Sequence, residues 1–335
     1  MRRFGKLGST AVAALAVVLL GAACGKSSAG NNGGADQLSG KVVVSGSSTV
    51  QPISSLVAEN FRQQNPGVTI TVDGPGTGDG FALFCKGQTD ISDASRPIKD
   101  EEKAACQQAG INFTELKVGL DGITVMTNPA NNAVTCLTKP DLYALVGPES
   151  TGFKNWSDAN ALDKELGGKG TFPSVPLEIT APGEESGTYD AFIELALKST
   201  ADERKQDDTV TRPDYQSSAN DNVIIQGVEG SNSSFGWVGF AYAEENASGV
   251  KILQVDGGNG CVAPTRDTIA DGSYPLSRAL FIYVNTAKAQ SNKSVKAYVD
   301  YYLQNLKQDV ADAGYVDLPA DQIQATQQAW TTAGA

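Results

Sequence analysis

The sequence predicts an α/β chain of two lobes, the first assembled from two separate stretches. Three observations predict it. Strand, loop and helix signals succeed one another from residue 42, an order that builds a mostly parallel sheet with ligand sites at the strands' carboxyl ends. Two small-residue motifs, Gly46-Ser47-Ser48-Thr49 and Ser186-Gly187-Thr188, stand where helices begin. A helix N-terminus offers an anion unpaired N–H groups and the positive end of a dipole. Last, the apolar run Ala279 to Val284 is placed to return to the first lobe, which makes the middle of the chain an insertion.

The elements follow in order. Val42-Val43-Val44 reads as a buried strand, and Val50, Ile53, Leu56, Val57 and Phe61 have helical spacing that stops before Asn65-Pro66-Gly67. Val68 to Val72 alternates as a half-buried strand does. Gly74 to Gly80 is a glycine-rich loop, followed by a helix through Phe81, Leu83, Phe84 and Cys85. Ile91 opens a short strand that leads into Ser95-Arg96-Pro97. Val118 to Thr127 reads as a strand broken at Asp121-Gly122, crossing into the second lobe. Residues 138–146 and 187–198 look helical, 177–180 a strand, and 222–228 and 235–240 two further short strands. A polar helical tail, 290–333, closes the chain. The expected lobes are 39–124 with 264–335, and 125–263; no regular internal repeat is present.

The N-terminus carries Arg2, Arg3 and Lys6, an apolar stretch from Ala11 to Leu20, then Gly21-Ala22-Ala23-Cys24. This is the pattern of an export signal over residues 1–23, too short for a membrane span. The cysteine resembles a lipobox, with Cys24 diacylated as the mature N-terminus, although Gly21 stands where leucine is usual. Residues 24–38 then serve as a flexible tether. Net charge is −12, and it becomes three units more negative when the leader's cations leave. Such a body is repelled by nucleic acid and anionic lipid. The absence of histidine removes the commonest general base and metal ligand.

Four cysteines remain beyond Cys24, and in an exported chain they favour disulfides with three connectivities open. The favoured set is Cys85–Cys106, a local loop, and Cys136–Cys261, tying the two ends of the second lobe. No CxxC spacing supports a metal.

Each motif has a plain reading. Ser and Thr are ordinary helix caps, the 74–80 loop matches neither Walker A nor GxGxxG, and a lone Arg96 is usually a surface residue. Taken together, all four follow a predicted strand and supply N–H or O–H donors or a fixed cation.

The runs GSSTVQPI (46–53), VDGPGTGDGF (72–81), TDISDASRPI (89–98), ESGTYDAF (185–192), DNVIIQGV (221–228) and YPLSRALFIYV (274–284) recur in this order. By them the chain resembles the phosphate-binding proteins of bacterial phosphate ABC importers, a type II periplasmic-binding-protein fold with each lobe a mixed, mostly parallel sheet flanked by helices. The resemblance implies anion contacts at Ser48, Thr49, Thr77, Ser186, Gly187 and Thr188. Two departures stand out: Pro182 where one branch has arginine, and Ser95 where it has aspartate. Ser95-Arg96 matches another branch, so Arg96 is expected to supply the cation, with Arg278 next in line. A carboxylate that accepts the proton of phosphate would reject sulfate, because an unpaired buried acceptor facing a fully deprotonated anion is costly. Asp79, Asp93 and Asp121 are candidates, and Asp121 is preferred.

The expected activity is therefore capture of inorganic phosphate for a membrane permease by a lipid-anchored monomer. No cofactor, nucleic acid or catalytic step is expected. Alternatives are the same fold with sulfate or molybdate, and a serine hydrolase at Ser48 or Ser186. The missing histidine, and the lack of a lysine in these motifs, disfavour the hydrolase.

Overall fold

The structure, a computed structural model, describes residues 38–334 apart from Glu185. The leader and Cys24 lie outside the described residues. Twelve strands are present among them: β1 (Gly40–Gly46), β2 (Val68–Asp73), β3 (Ile91–Ala94), β4 (Phe113–Thr127), β5 (Cys136–Thr138), β6 (Glu178–Ala181), β7 (Gln216–Ser217), β8 (Ser234–Gly239), β9 (Lys251–Ile252), β10 (Gln254–Asp256), β11 (Cys261–Val262) and β12 (Ser277–Asn285). The helices are α1 (Gln51–Gln64), α2 (Thr77–Phe84), α3 (Asp100–Gln108), α4 (Lys139–Val146), α5 (Asn160–Glu165), α6 (Gly187–Phe192), α7 (Lys198–Arg204), α8 (Asp221–Glu229), α9 (Phe240–Asn246), α10 (Arg266–Ala270), α11 (Thr286–Ser291), α12 (Lys293–Gln304), α13 (Leu306–Asp312) and α14 (Ala320–Thr332).

The main sheet runs β2-β1-β3-β12-β4-β8-β6-β7, with β9 beside β4, and β11-β10-β5 form a small sheet. Pairing is parallel at β1–β2, β1–β3, β6–β8 and β6–β7, and antiparallel where β12 and β4 enter. β4 is the shared strand. Its residues up to Gly122 pair with β12, and from Ile123 onward it pairs with β8. The strand is thus continuous through Asp121-Gly122, where a break was expected. A change of partner replaces the break, and a Cβ at Gly122 would stand 2.7 Å from Ile269 Cδ1, so the Ile269 side chain would have to shift to admit one.

Helices pack where their apolar spacing directs them. α1 buries Ile53, Val57 and Phe61, with Pro52 in its first turn where no donor is lost. Each large side chain buried this way contributes roughly 1.5–3 kcal/mol. Phe61 meets Tyr298 of α12 edge-on at 5.8 Å between ring centroids, and Phe192 stacks on Trp237 at 4.2 Å.

Two local expectations are corrected. Residues 222–228 form helix α8, not a strand. Val223, Ile224 and Ile225 have β-branched side chains, but Ile224, Ile225 and Val228 share one buried helical face, and the Asn220 side chain caps the first turn. The glycine-rich loop is also shorter than expected, since α2 already begins at Thr77. Gly80 lets that helix lie on β1: a Cβ there would stand 2.4 Å from Gly46 Cα. Cys85 is bonded to Cys106 and Cys136 to Cys261. No helix among the described residues is long and apolar enough to cross a membrane.

Candidate functional site

The site begins at the carboxyl ends of β1 and β3. Gly46 of β1 lies directly against Asp93 of β3, and a Cβ on it would overlap the Asp93 carbonyl oxygen at 2.0 Å. The chain then turns through 47–50 into α1. The Ser47 N–H is held by the Asp93 carbonyl at 2.9 Å, and the Ser47 hydroxyl accepts the Thr49 N–H at 3.2 Å. Beside this turn, Thr77 opens α2, and its Oγ1 lies 3.1 Å from Ser95 Oγ and accepts the Ser95 N–H at 3.2 Å. Thr49, Thr77 and Ser95 are buried, while Ser48 is half-buried.

The second motif follows β6. The Ser186 Oγ accepts the Thr188 N–H at 3.2 Å, so Ser186 caps α6. Helix α6 passes through a π-helical turn, Ile193–Leu197, into α7. A side chain at Gly187 would sit 3.8 Å from the Ser48 carbonyl oxygen and 4.0 Å from the Tyr315 hydroxyl. The structure thus places the two motifs, about 140 residues apart, beside one another. The Ser48 hydroxyl donates to Asp190 Oδ2 at 3.2 Å across this junction. A cavity of about 290 Å³ adjoins it, lined by Asp121, Thr188, Asp221, Tyr242 and Tyr315.

The cation at the junction is Arg278 of β12. Its Nε donates to Asp121 Oδ2 at 3.2 Å, its Nη2 to Thr49 Oγ1 at 2.9 Å, and its Nη1 to Glu194. Only 9% of its side chain is exposed. Burial alone would lower its affinity for the proton, but the Asp121 and Glu194 carboxylates outweigh burial and hold the guanidinium above its ordinary range. Asp121 is pushed up by burial, and Arg278 pulls it back only in part.

Arg96 is placed differently from the expectation. Its guanidinium forks onto Glu102 of α3 at 2.7 and 2.8 Å and lies over the Phe81 ring. A bidentate carboxylate uses the fork that would grip an oxyanion. Its charge still reaches Glu194, which therefore lies within the field of both Arg96 and Arg278. Among the carboxylates considered as proton acceptors, Asp121 is engaged by Arg278, Asp79 is exposed in the first turn of α2, and Asp93 is fully buried beneath α1.

Two acidic groups were missed by sequence reasoning. Asp190 and Glu194 stand two and six residues beyond Thr188, four apart, so they share one face of the helical run. That spacing was the available signal. Burial raises Asp190 above the usual carboxylate range, with the Ser48 bond pulling the other way. The two carboxylates bond to the donors of the β1–α1 turn and of β12, as an oxyanion's oxygens would.

Residues 31–306 match the family model of the PBP superfamily domain. Protein SphX of Synechocystis is 37% identical over 315 residues, spanning 93% of this chain and 86% of that protein. The phosphate-binding protein PstS of Staphylococcus saprophyticus is 36% identical over 321 residues, 95% of this chain and 91% of that one. Among solved structures, one described as a possible phosphate binding protein from Planctomyces limnophilus superposes with a TM-score of 0.80 at 35% identity, covering 88% of this chain and 99% of that one. Fold, paired motifs and relatives agree: the chain belongs to the PBP superfamily and, within it, to the family of bacterial phosphate-binding proteins.

Proposed function

We propose that this protein is an extracytoplasmic receptor that captures inorganic phosphate between two lobes, 39–124 with 264–335 and 125–263, and delivers it to the permease of an ABC importer. In this reading Cys24 carries the lipid anchor and the monomer is the working form. The observation that carries it is the meeting of the 46–49 and 186–188 motifs beside the buried Arg278. Ser48, Thr49, Thr77, Ser95, Ser186, Gly187 and Thr188 surround the anion with hydroxyl and N–H donors. Arg278 provides the charge, positioned by Asp121, and Arg96 adds its field from behind Glu102.

Charge-assisted hydrogen bonds contribute about 1.5–3 kcal/mol each, so a few of them reach micromolar binding, roughly −8 kcal/mol. Calorimetry on ligand-stripped protein tests the reading. Phosphate should bind, and Ser48→Ala, Thr77→Ala and Thr188→Ala should each weaken it by about 0.5–3 kcal/mol. Unchanged affinity in all three variants would reject the shared site.

Asp190 is the carboxylate we assign to the proton of phosphate, because among the described residues its carboxylate accepts from one hydroxyl, that of Ser48, while Asp121 is committed to Arg278. A protonated anion can donate to it, and sulfate at neutral pH cannot. Asp190→Asn should therefore narrow the preference for phosphate over sulfate by about tenfold or more, the scale of losing one buried hydrogen bond to a charged group. Competition titrations with the two anions read this directly, and an unchanged ratio would remove Asp190 from the assignment.

A further inference from the structure

Beneath the first motif lies a carboxyl group that the proposed site does not use. Asp93 has no exposed surface. The Ser54 hydroxyl donates to its Oδ1 at 3.0 Å, while Oδ2 has no hydrogen-bond partner among the described residues. Its own backbone carbonyl holds the Ser47 N–H of the anion turn. Ser54 belongs to the first turns of α1, the helix that this turn opens.

Among the described residues the groups around Asp93 offer no positive charge. From α1 comes Ser54. From α12 come Tyr298, donating to the Ser54 carbonyl at 2.9 Å, and Tyr302, whose hydroxyl lies 3.4 Å from Ser54 Oγ. From α13 comes Asp309, whose charge acts on both tyrosines. β1 and β12 oppose it with Gly46 and Ile282, and α2 brings only the exposed Asp79 as a titratable group. Among the described residues neither lysine nor arginine acts on it. A buried carboxylate with one donor and no counter-ion is costly, and burial raises Asp93 to about 7 against the pull of Ser54.

An ionised Asp93 draws on the same positive helix end that attracts an anion to the 46–49 turn. The two negative charges oppose each other, and by reciprocity a bound anion makes Asp93 hold its proton more firmly. We propose that anion capture at the 46–49 turn is coupled to proton uptake by Asp93, so that the protein binds its anion more tightly as the medium turns mildly acidic. This rests on the phosphate reading above.

The test is calorimetry with inorganic phosphate in buffers of different ionisation enthalpy, which counts protons taken up per anion bound. Phosphate's own titration enters equally in wild type and Asp93→Asn, so their difference isolates Asp93. Near pH ~7 the wild type should take up a fraction of a proton more, and the difference should fade about two pH units to either side. Above that range Asp93→Asn should bind phosphate several-fold more tightly than wild type. Ser54→Ala removes the one donor to the ionised form and should move the difference to higher pH, which keeps the test open if Asp93→Asn fails to fold. Equal proton uptake in wild type and both variants overturns the proposal alone. Failure of the wild type to bind phosphate would overturn the functional reading and this proposal with it.

Discussion

Arg278→Met should abolish most anion binding and also destabilise the ligand-free protein, and a second substitution should separate the two effects. Binding should fall by at least about 3 kcal/mol, more than a hundredfold, because a buried guanidinium supplies charge-assisted bonds that no water replaces. Stability should fall by about 3–5 kcal/mol at neutral pH, the cost of leaving a buried carboxylate without its partner. The stranded group is Asp121, whose side chain is only 7% exposed. Burial already raises Asp121, and without Arg278 it rises further. For an acid whose folded-state value lies above its unfolded one, the penalty is full above the folded value and disappears as pH falls through it. The stability deficit should therefore shrink on acidification. Adding Asp121→Asn to Arg278→Met should restore stability at neutral pH and leave binding lost. Denaturant midpoints and phosphate titrations on the single and double variants measure both quantities. Arg96→Ala should cost binding less than Arg278→Met, since Glu102 already occupies its fork. A larger loss at Arg96 would place the principal cation there instead.

What the sequence could reveal follows the range of each interaction. β1, α1 and β2 were legible because their signals are local: a valine run, one apolar helical face, and an alternating strand after Asn65-Pro66-Gly67. Helix α8 was misread because Val223-Ile224-Ile225 has the composition of a strand, and composition outweighed the helical spacing of its buried face. Arg278 illustrates the harder case. Its bond to Asp121 comes from the antiparallel register of β12 on β4, which sets the two residues opposite one another across 157 positions of chain. Nothing near either residue announces that pairing. Arg96 was the more visible arginine because Pro97 and the strand end mark it locally, and its partner Glu102 is also local, six residues on. The acidic pair on the Ser-Gly-Thr helix falls between these cases. The spacing of Asp190 and Glu194 was readable, but their function depends on Ser48 and Arg278 arriving from elsewhere in the chain.

Removal of the Cys136–Cys261 bond should cost more stability than removal of Cys85–Cys106 while leaving phosphate affinity nearly unchanged. The two bonds close loops of sequence separation 125 and 21. By the loop-entropy model the first restrains the unfolded chain by about 5 kcal/mol and the second by about 3 kcal/mol. Local packing works against this ranking, since Cys85 and Cys106 sit in an apolar cluster with Phe81, Phe84 and Tyr283. Serine in their place would add a burial penalty of about 1–3 kcal/mol per unpaired hydroxyl. Alanine pairs avoid that penalty, so Cys136→Ala with Cys261→Ala should be compared with Cys85→Ala with Cys106→Ala by urea unfolding. Access to reductant runs the same way as the entropy. Cys261 is exposed and Cys136 half-buried, whereas Cys85 and Cys106 are 5% and 0% exposed. Mild reduction followed by alkylation should therefore label Cys136 and Cys261 first, and the labelled protein should unfold at lower urea. Binding should persist, because the Cys136–Cys261 bond joins strands of the small sheet, while the donors at the junction belong to the β1–α1 turn, α2, α6 and β12. Loss of phosphate affinity on reduction at conditions where the protein remains folded would tie the small sheet to the site.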